Sequence, residues 1–104
     1  MITACDIRIG TKDSRYTIKE VDIGIVADLG TTQRLPLISA NDSLLRELAY
    51  TGRWFNAEEA LKFGLISKIC ENKDDLDRNL MKMAEEIASK SPVVIWGLKK
   101  VLNQ

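Results

Sequence analysis

Apolar and polar positions along the chain follow two rhythms. Over residues 4–9 they alternate (Ala-Cys-Asp-Ile-Arg-Ile), which predicts a strand, with Gly10-Thr11-Lys12-Asp13-Ser14 as the turn that ends it. Arg15-Tyr16-Thr17-Ile18 predicts a second short strand. Beyond Gly30 a short helix is expected over residues 31–38, interrupted by Pro36. From there the rhythm is helical. Asn41-Asp42-Ser43 is a capping cluster ahead of Leu44, Leu45, Leu48 and Ala49, and Gly52 can end that helix. Asn56, with Glu59 three residues on, predicts the next helix start; Ala60, Leu61 and Phe63 form its buried side and Gly64 its stop. Residues 65–70 predict a strand. Asp74 and Asp75 then open a longer helix on which Leu76, Leu80, Met83, Ala84, Ile87 and Ala88 recur at helical spacing, with Met81 and Met83 expected as core filler. Ser91-Pro92 starts a last helix that carries Val94, Leu98 and Val101 to the end at Gln104, where Lys99 and Lys100 form a solvated end.

The stretch between the rhythms holds the candidate chemistry. Glu20 and Asp28 stand in a mainly apolar run, Val21-Asp22-Ile23-Gly24-Ile25-Val26-Ala27-Asp28-Leu29-Gly30. Fully extended, residues eight apart are about 26 Å from one another. On a helix they are about 12 Å apart along the axis. A bend at Gly24 or Gly30 would let both carboxyls flank one apolar slot, because glycine reaches backbone angles closed to other residues. An apolar wall raises a carboxyl's pKa toward working pH, where the group can both take and give a proton. Two ordinary roles compete: Asp28 as the cap of a helix beginning near Leu29, and Glu20 as a solvated residue at a strand end.

Composition narrows the choices. The chain has 104 residues, enough for one small domain, and its 45% hydrophobic and 29% charged content is that of a globular protein. Fifteen basic residues balance fifteen acidic ones without a basic stripe, which argues against nucleic acid as a partner. There is no histidine, which removes histidine-based triads and nearly all zinc sites, so no metal is expected. Cys5 and Cys70 are expected as buried thiols in a reducing compartment. No run approaches the length of a membrane span, and the start lacks the basic and apolar regions of a signal peptide.

Glu20-Val21-Asp22-Ile23-Gly24, followed by Gly30-Thr31-Thr32-Gln33-Arg34-Leu35-Pro36, resembles the second catalytic segment of the enoyl-CoA hydratase/isomerase (crotonase) superfamily. Within it, Ala27-Asp28-Leu29-Gly30 is similar to the Δ3,5-Δ2,4-dienoyl-CoA isomerase branch; hydratases of the family usually carry glycine where Asp28 stands. Downstream, Thr51-Gly52-Arg53, Ala57, Glu59-Ala60, Gly64-Leu65-Ile66 and, more weakly, Lys90-Ser91-Pro92 continue the resemblance across essentially the whole chain.

The resemblance implies an α/β fold: a partial crotonase-type spiral of strand–strand–helix turns, with residues 1–104 as a single partial domain. It implies Glu20 and Asp28 as catalytic carboxylates, an acyl-CoA thioester as substrate and no separate cofactor. A trimeric or hexameric homo-oligomer in peroxisomes or mitochondria is implied too, although no C-terminal Ser-Lys-Leu address is present. Asp6 and Arg8 are expected as framework, paired with one another. The family's earlier turns carry the two N–H donors for the thioester oxygen and much of the coenzyme A pocket, so the 104 residues are expected to be an inactive fragment, or to need partners to cover their core. The alternatives are an enoyl-CoA hydratase, with Glu20 helping to position water, and a non-catalytic binding or oligomerisation module.

Overall fold

The computed structural model describes residues 2–18 and 40–103; the expectations for Glu20, Asp28 and the helix over residues 31–38 lie outside them. A 3-10 turn, Ile2–Ala4, precedes two short strands, β1 (Gly10–Thr11) and β2 (Arg15–Tyr16). Helix α1 (Asp42–Thr51), strand β3 (Phe55–Asn56), helix α2 (Ala57–Phe63), strand β4 (Ile69–Cys70) and helices α3 (Lys73–Ala88) and α4 (Pro92–Leu102) follow.

The helices begin and end where their local chemistry dictates. Asn41, Asn56 and Asn72 are N-caps whose side chains accept from the backbone N–H of Leu44, Glu59 and Asp75. Each satisfies one of the donors that a helix start leaves without a partner. Gly52 and Gly64 close α1 and α2 at φ 63° and 94°, left-handed angles that glycine adopts without a Cβ penalty. Ser91 occupies the cap position of α4 without a side-chain capping bond, so Pro92 in the first turn is the remaining start signal.

The strands depart from expectation. β1 lies parallel to β4, with Gly10 opposite Ile69 and Thr11 opposite Cys70. Residues 4–9 do not form the predicted strand: Arg8 turns its side chain to the Leu65 carbonyl, Nε at 2.6 Å, and to the Cys5 carbonyl. Its own carbonyl, which accepts from the Ser67 N–H at 2.9 Å, is as far as the β1–β4 pairing reaches. Nor do residues 65–68 form strand. The N–H groups of Leu65 and Ile66 return to the Ala60 carbonyl, which makes them part of the α2 terminus. β2 runs antiparallel to β3, Arg15 opposite Asn56 and Tyr16 opposite Phe55.

The core gathers where α1, β3 and α2 meet β2. Leu45, Leu48, Phe55, Ala57, Ala60, Phe63, Leu65 and Ile66 are buried together with Ile18. Tyr16 stacks on Phe55 with ring centroids 5.6 Å apart, and Phe55 meets Phe63 edge-on at 6.2 Å. Leu61 is exposed, contrary to expectation, because the buried stripe of this short helix runs through Ala57, Ala60 and Phe63. Of the two thiols Cys70 is buried and Cys5 is exposed, since residue 5 sits in a bend before any sheet forms.

Helices α3 and α4 contain no buried residue. Met81 is not core filler: it stands beside the stripe of Leu76, Leu80, Met83 and Ile87 and is 60% exposed. Val94, Trp96, Leu98 and Val101 of α4 are exposed as well. Asp6 and Arg8 do not pair; Asp6 instead binds Lys99 Nζ at 3.0 Å in a surface ion pair, and Lys99 is solvated as expected. Lys100 places its ammonium 4.6 Å from the Trp96 ring centroid. No described helix is long and apolar enough to cross a membrane.

Candidate active site

Glu20 and Asp28 lie outside the described residues, but the structure describes both flanks of the stretch that carries them. On the entering side, β2 delivers the chain to Thr17 and Ile18. The Thr17 hydroxyl donates to the Gly52 carbonyl at 3.0 Å, and Ile18 is buried in the core. On the leaving side, the Ala40 N–H donates to the Phe63 carbonyl at 2.8 Å. Both acceptors belong to helix ends, where carbonyls run out of intrahelical partners. One closes α1 and the other lies in the last residue of α2. The two flanks are therefore fastened to the same α1–β3–α2 unit.

A guanidinium ties that unit together. Arg53 Nη2 lies 2.6 Å from Glu47 of α1 and 2.8 Å from Glu59 of α2, and Nε adds a second bond to Glu47 at 2.9 Å. Hydrogen bonds donated to Glu59 and then Glu47 hold Arg53 charged beyond its already high ordinary range. The bond from Arg53 likewise holds the Glu59 carboxyl below the usual carboxylate range. A carboxylate kept ionised in this way is a poor proton carrier at neutral pH. Glu59 is thus framework.

The sequence over residues 51–66 predicts cap, core and turn and does not announce this hub. The available signal was weak: Glu47 and Glu59 each stand six positions from Arg53, a spacing that no single helix face brings together. Among the described residues no group of three or more cysteine, aspartate or glutamate side chains could hold a metal ion.

The enoyl-CoA hydratase/isomerase family matches residues 1–104. The peroxisomal Δ(3,5)-Δ(2,4)-dienoyl-CoA isomerase of Arabidopsis thaliana is 49% identical over 102 residues, covering 98% of this chain and 36% of the plant protein. The mitochondrial enzyme of that name from Mus musculus is 46% identical over 99 residues, 95% of this chain and 30% of the mouse protein. The crystal structure of enoyl-CoA hydratase from Bacillus anthracis superposes with a TM-score of 0.90 at 31% identity, covering 98% of this chain and 39% of that one. The chain thus spans about a third of the length of the curated relatives it matches. A match along its whole length, together with the superposition, establishes that the chain belongs to the enoyl-CoA hydratase/isomerase (crotonase) family and has that family's α/β fold in part.

Proposed function

We propose that these residues form part of an acyl-CoA isomerase of fatty acid β-oxidation that converts 3,5-dienoyl-CoA to 2,4-dienoyl-CoA. The observation that carries the reading is Asp28 eight residues after Glu20, in a sequence 46% and 49% identical to two dienoyl-CoA isomerases and 31% identical to a hydratase. Moving both double bonds one position requires a proton to leave the carbon beside the thioester and another to arrive at the far end of the conjugated system. Two carboxyls set apart along an apolar slot suit that pair of steps. Glu20 takes the proton next to the thioester, the electrons shift through the diene, and Asp28 delivers the proton at the distal carbon. Acyl-CoA is the substrate and no further cofactor takes part.

The developing enolate needs donors at its oxygen, which by family resemblance belong to earlier turns of the spiral. Each such donor contributes about 3–4 kcal/mol, so the 104 residues alone are expected to turn over orders of magnitude more slowly than the whole protein. The whole protein is read as a homo-oligomer, a trimer or hexamer, working in peroxisomes or mitochondria. Hydration of a 2-enoyl-CoA is the second reading, favoured by the superposition on a hydratase.

The test is a paired assay of the full gene product with a 3,5-dienoyl-CoA and a 2-enoyl-CoA. Asp28→Gly is expected to lower isomerisation by about 10²–10⁴-fold, the range for a lost general acid or base, and hydration far less. Equal loss of both activities would reject the assignment.

A further inference from the structure

We propose that Thr17 is a positioning residue for Glu20, acting through the hydrogen bond from its hydroxyl to the Gly52 carbonyl. The inference deepens the isomerase reading and rests on it for its kinetic arm. The regular pairing of β2 with β3 stops at Tyr16 opposite Phe55. The next residue is fixed by other means: the Thr17 hydroxyl crosses to Gly52, 35 positions away, at 3.0 Å. Ile18 then enters the core. Thr17 and Ile18 therefore hold the backbone by two independent means, one by a polar bond and one by burial.

The acceptor is itself well placed. Gly52 is buried in the left-handed conformation that closes α1, and its N–H is already bonded to the Leu48 carbonyl. Its position is further secured by the neighbouring Arg53, which bridges Glu47 and Glu59. Thr17 thus references the chain to the rigid α1–β3–α2 unit. Its β-branched side chain adopts few χ1 rotamers, so the bond defines the backbone more closely than a longer side chain would. Only two residues, Ile18 and Lys19, separate it from Glu20. Reactivity falls steeply with small misplacements of a catalytic group, about 10²-fold for 1 Å, whereas substrate binding depends on contacts spread over a much larger surface. Loss of this bond should therefore act on kcat and leave KM nearly unchanged.

Thr17→Val keeps the side chain's shape and removes the hydroxyl; Thr17→Ser keeps the hydroxyl. In the full gene product with a 3,5-dienoyl-CoA, Thr17→Val is expected to lower kcat about tenfold with KM within about twofold, and Thr17→Ser to restore kcat to within about twofold. Ser89→Ala serves as control, since it removes a similar hydroxyl-to-carbonyl bond, Ser89 to Glu86 at 2.6 Å, at the far end of α3. Hydrogen–deuterium exchange supplies an arm independent of the reaction. Thr17→Val should speed exchange in peptides covering residues 19–28 and leave α1 and α3 unaffected, while Thr17→Ser and Ser89→Ala leave residues 19–28 unchanged. Unaltered exchange in residues 19–28, or a kcat loss that Thr17→Ser does not recover, overturns the positioning role. An unsubstituted protein without isomerase activity overturns the functional reading instead, and the exchange arm still decides the role of Thr17.

Discussion

Arg53 shows how one side chain can set the geometry of a region. Its planar fork reaches a carboxylate on each of two helices, which a lysine ammonium on a flexible stem does not reproduce. The pH dependence follows from the Glu59 carboxyl being held below its ordinary range by that fork. A group whose pKa is depressed by folding contributes stability above its unfolded pKa and loses it as pH falls through the folded value. The melting temperature is therefore expected to decline as pH drops below the usual carboxylate range. Glu59→Gln should flatten that acid limb in a thermal melt series, while Arg53→Lys lowers the melting temperature near neutrality. Arg53 itself stays charged throughout, so no alkaline counterpart is expected.

Helix ends and strands differ sharply in how far the sequence reveals them. Asn41, Asn56, Gly52 and Gly64 were legible because a cap and the helix it serves are neighbours in the chain, and local chemistry decides the outcome. The strands were not. Each is two residues long, and its pairing partner is fixed by tertiary packing far along the chain. Alternation over residues 4–9 predicts a strand, but the pairing with β4 reaches back only to the Arg8 carbonyl, and residues 65–66 belong to the end of α2. The candidate acids were legible as residue types and through family resemblance, whereas the frame around them, Thr17 on Gly52 and Ala40 on Phe63, depends on contacts no local pattern announces. The caps yield a graded prediction for urea unfolding. Asn56→Ala is expected to cost about 1 kcal/mol, the usual value for a lost capping bond. Ser91→Ala should be close to neutral, since Ser91 makes no such bond.

At the scale of the whole molecule, the outstanding feature is apolar surface on α3 and α4. Val94, Trp96, Leu98 and Val101 fall within a single helix, and Trp96 alone is 62% exposed. Val94, Leu98 and Val101, at i, i+4 and i+7, share one face of α4 with Trp96 on the opposite side, and exposed apolar faces mark surfaces that associate. The 104-residue chain is accordingly expected to bind a hydrophobic dye and to sediment faster as its concentration rises. Val94→Glu combined with Leu98→Lys should abolish both effects and leave the melting temperature little changed, because neither side chain is buried. A different consequence attends the parallel pairing of Gly10 with Ile69. Closing so long a loop costs about 3.6 kcal/mol in chain entropy before any contact offsets it. Helices α1, α2 and α3 can draw on near neighbours from the outset, but β1 has nothing to dock on until Ile69 and Cys70 are in place. Synthesised well ahead of its partner, strand β1 is among the last of the described elements to settle.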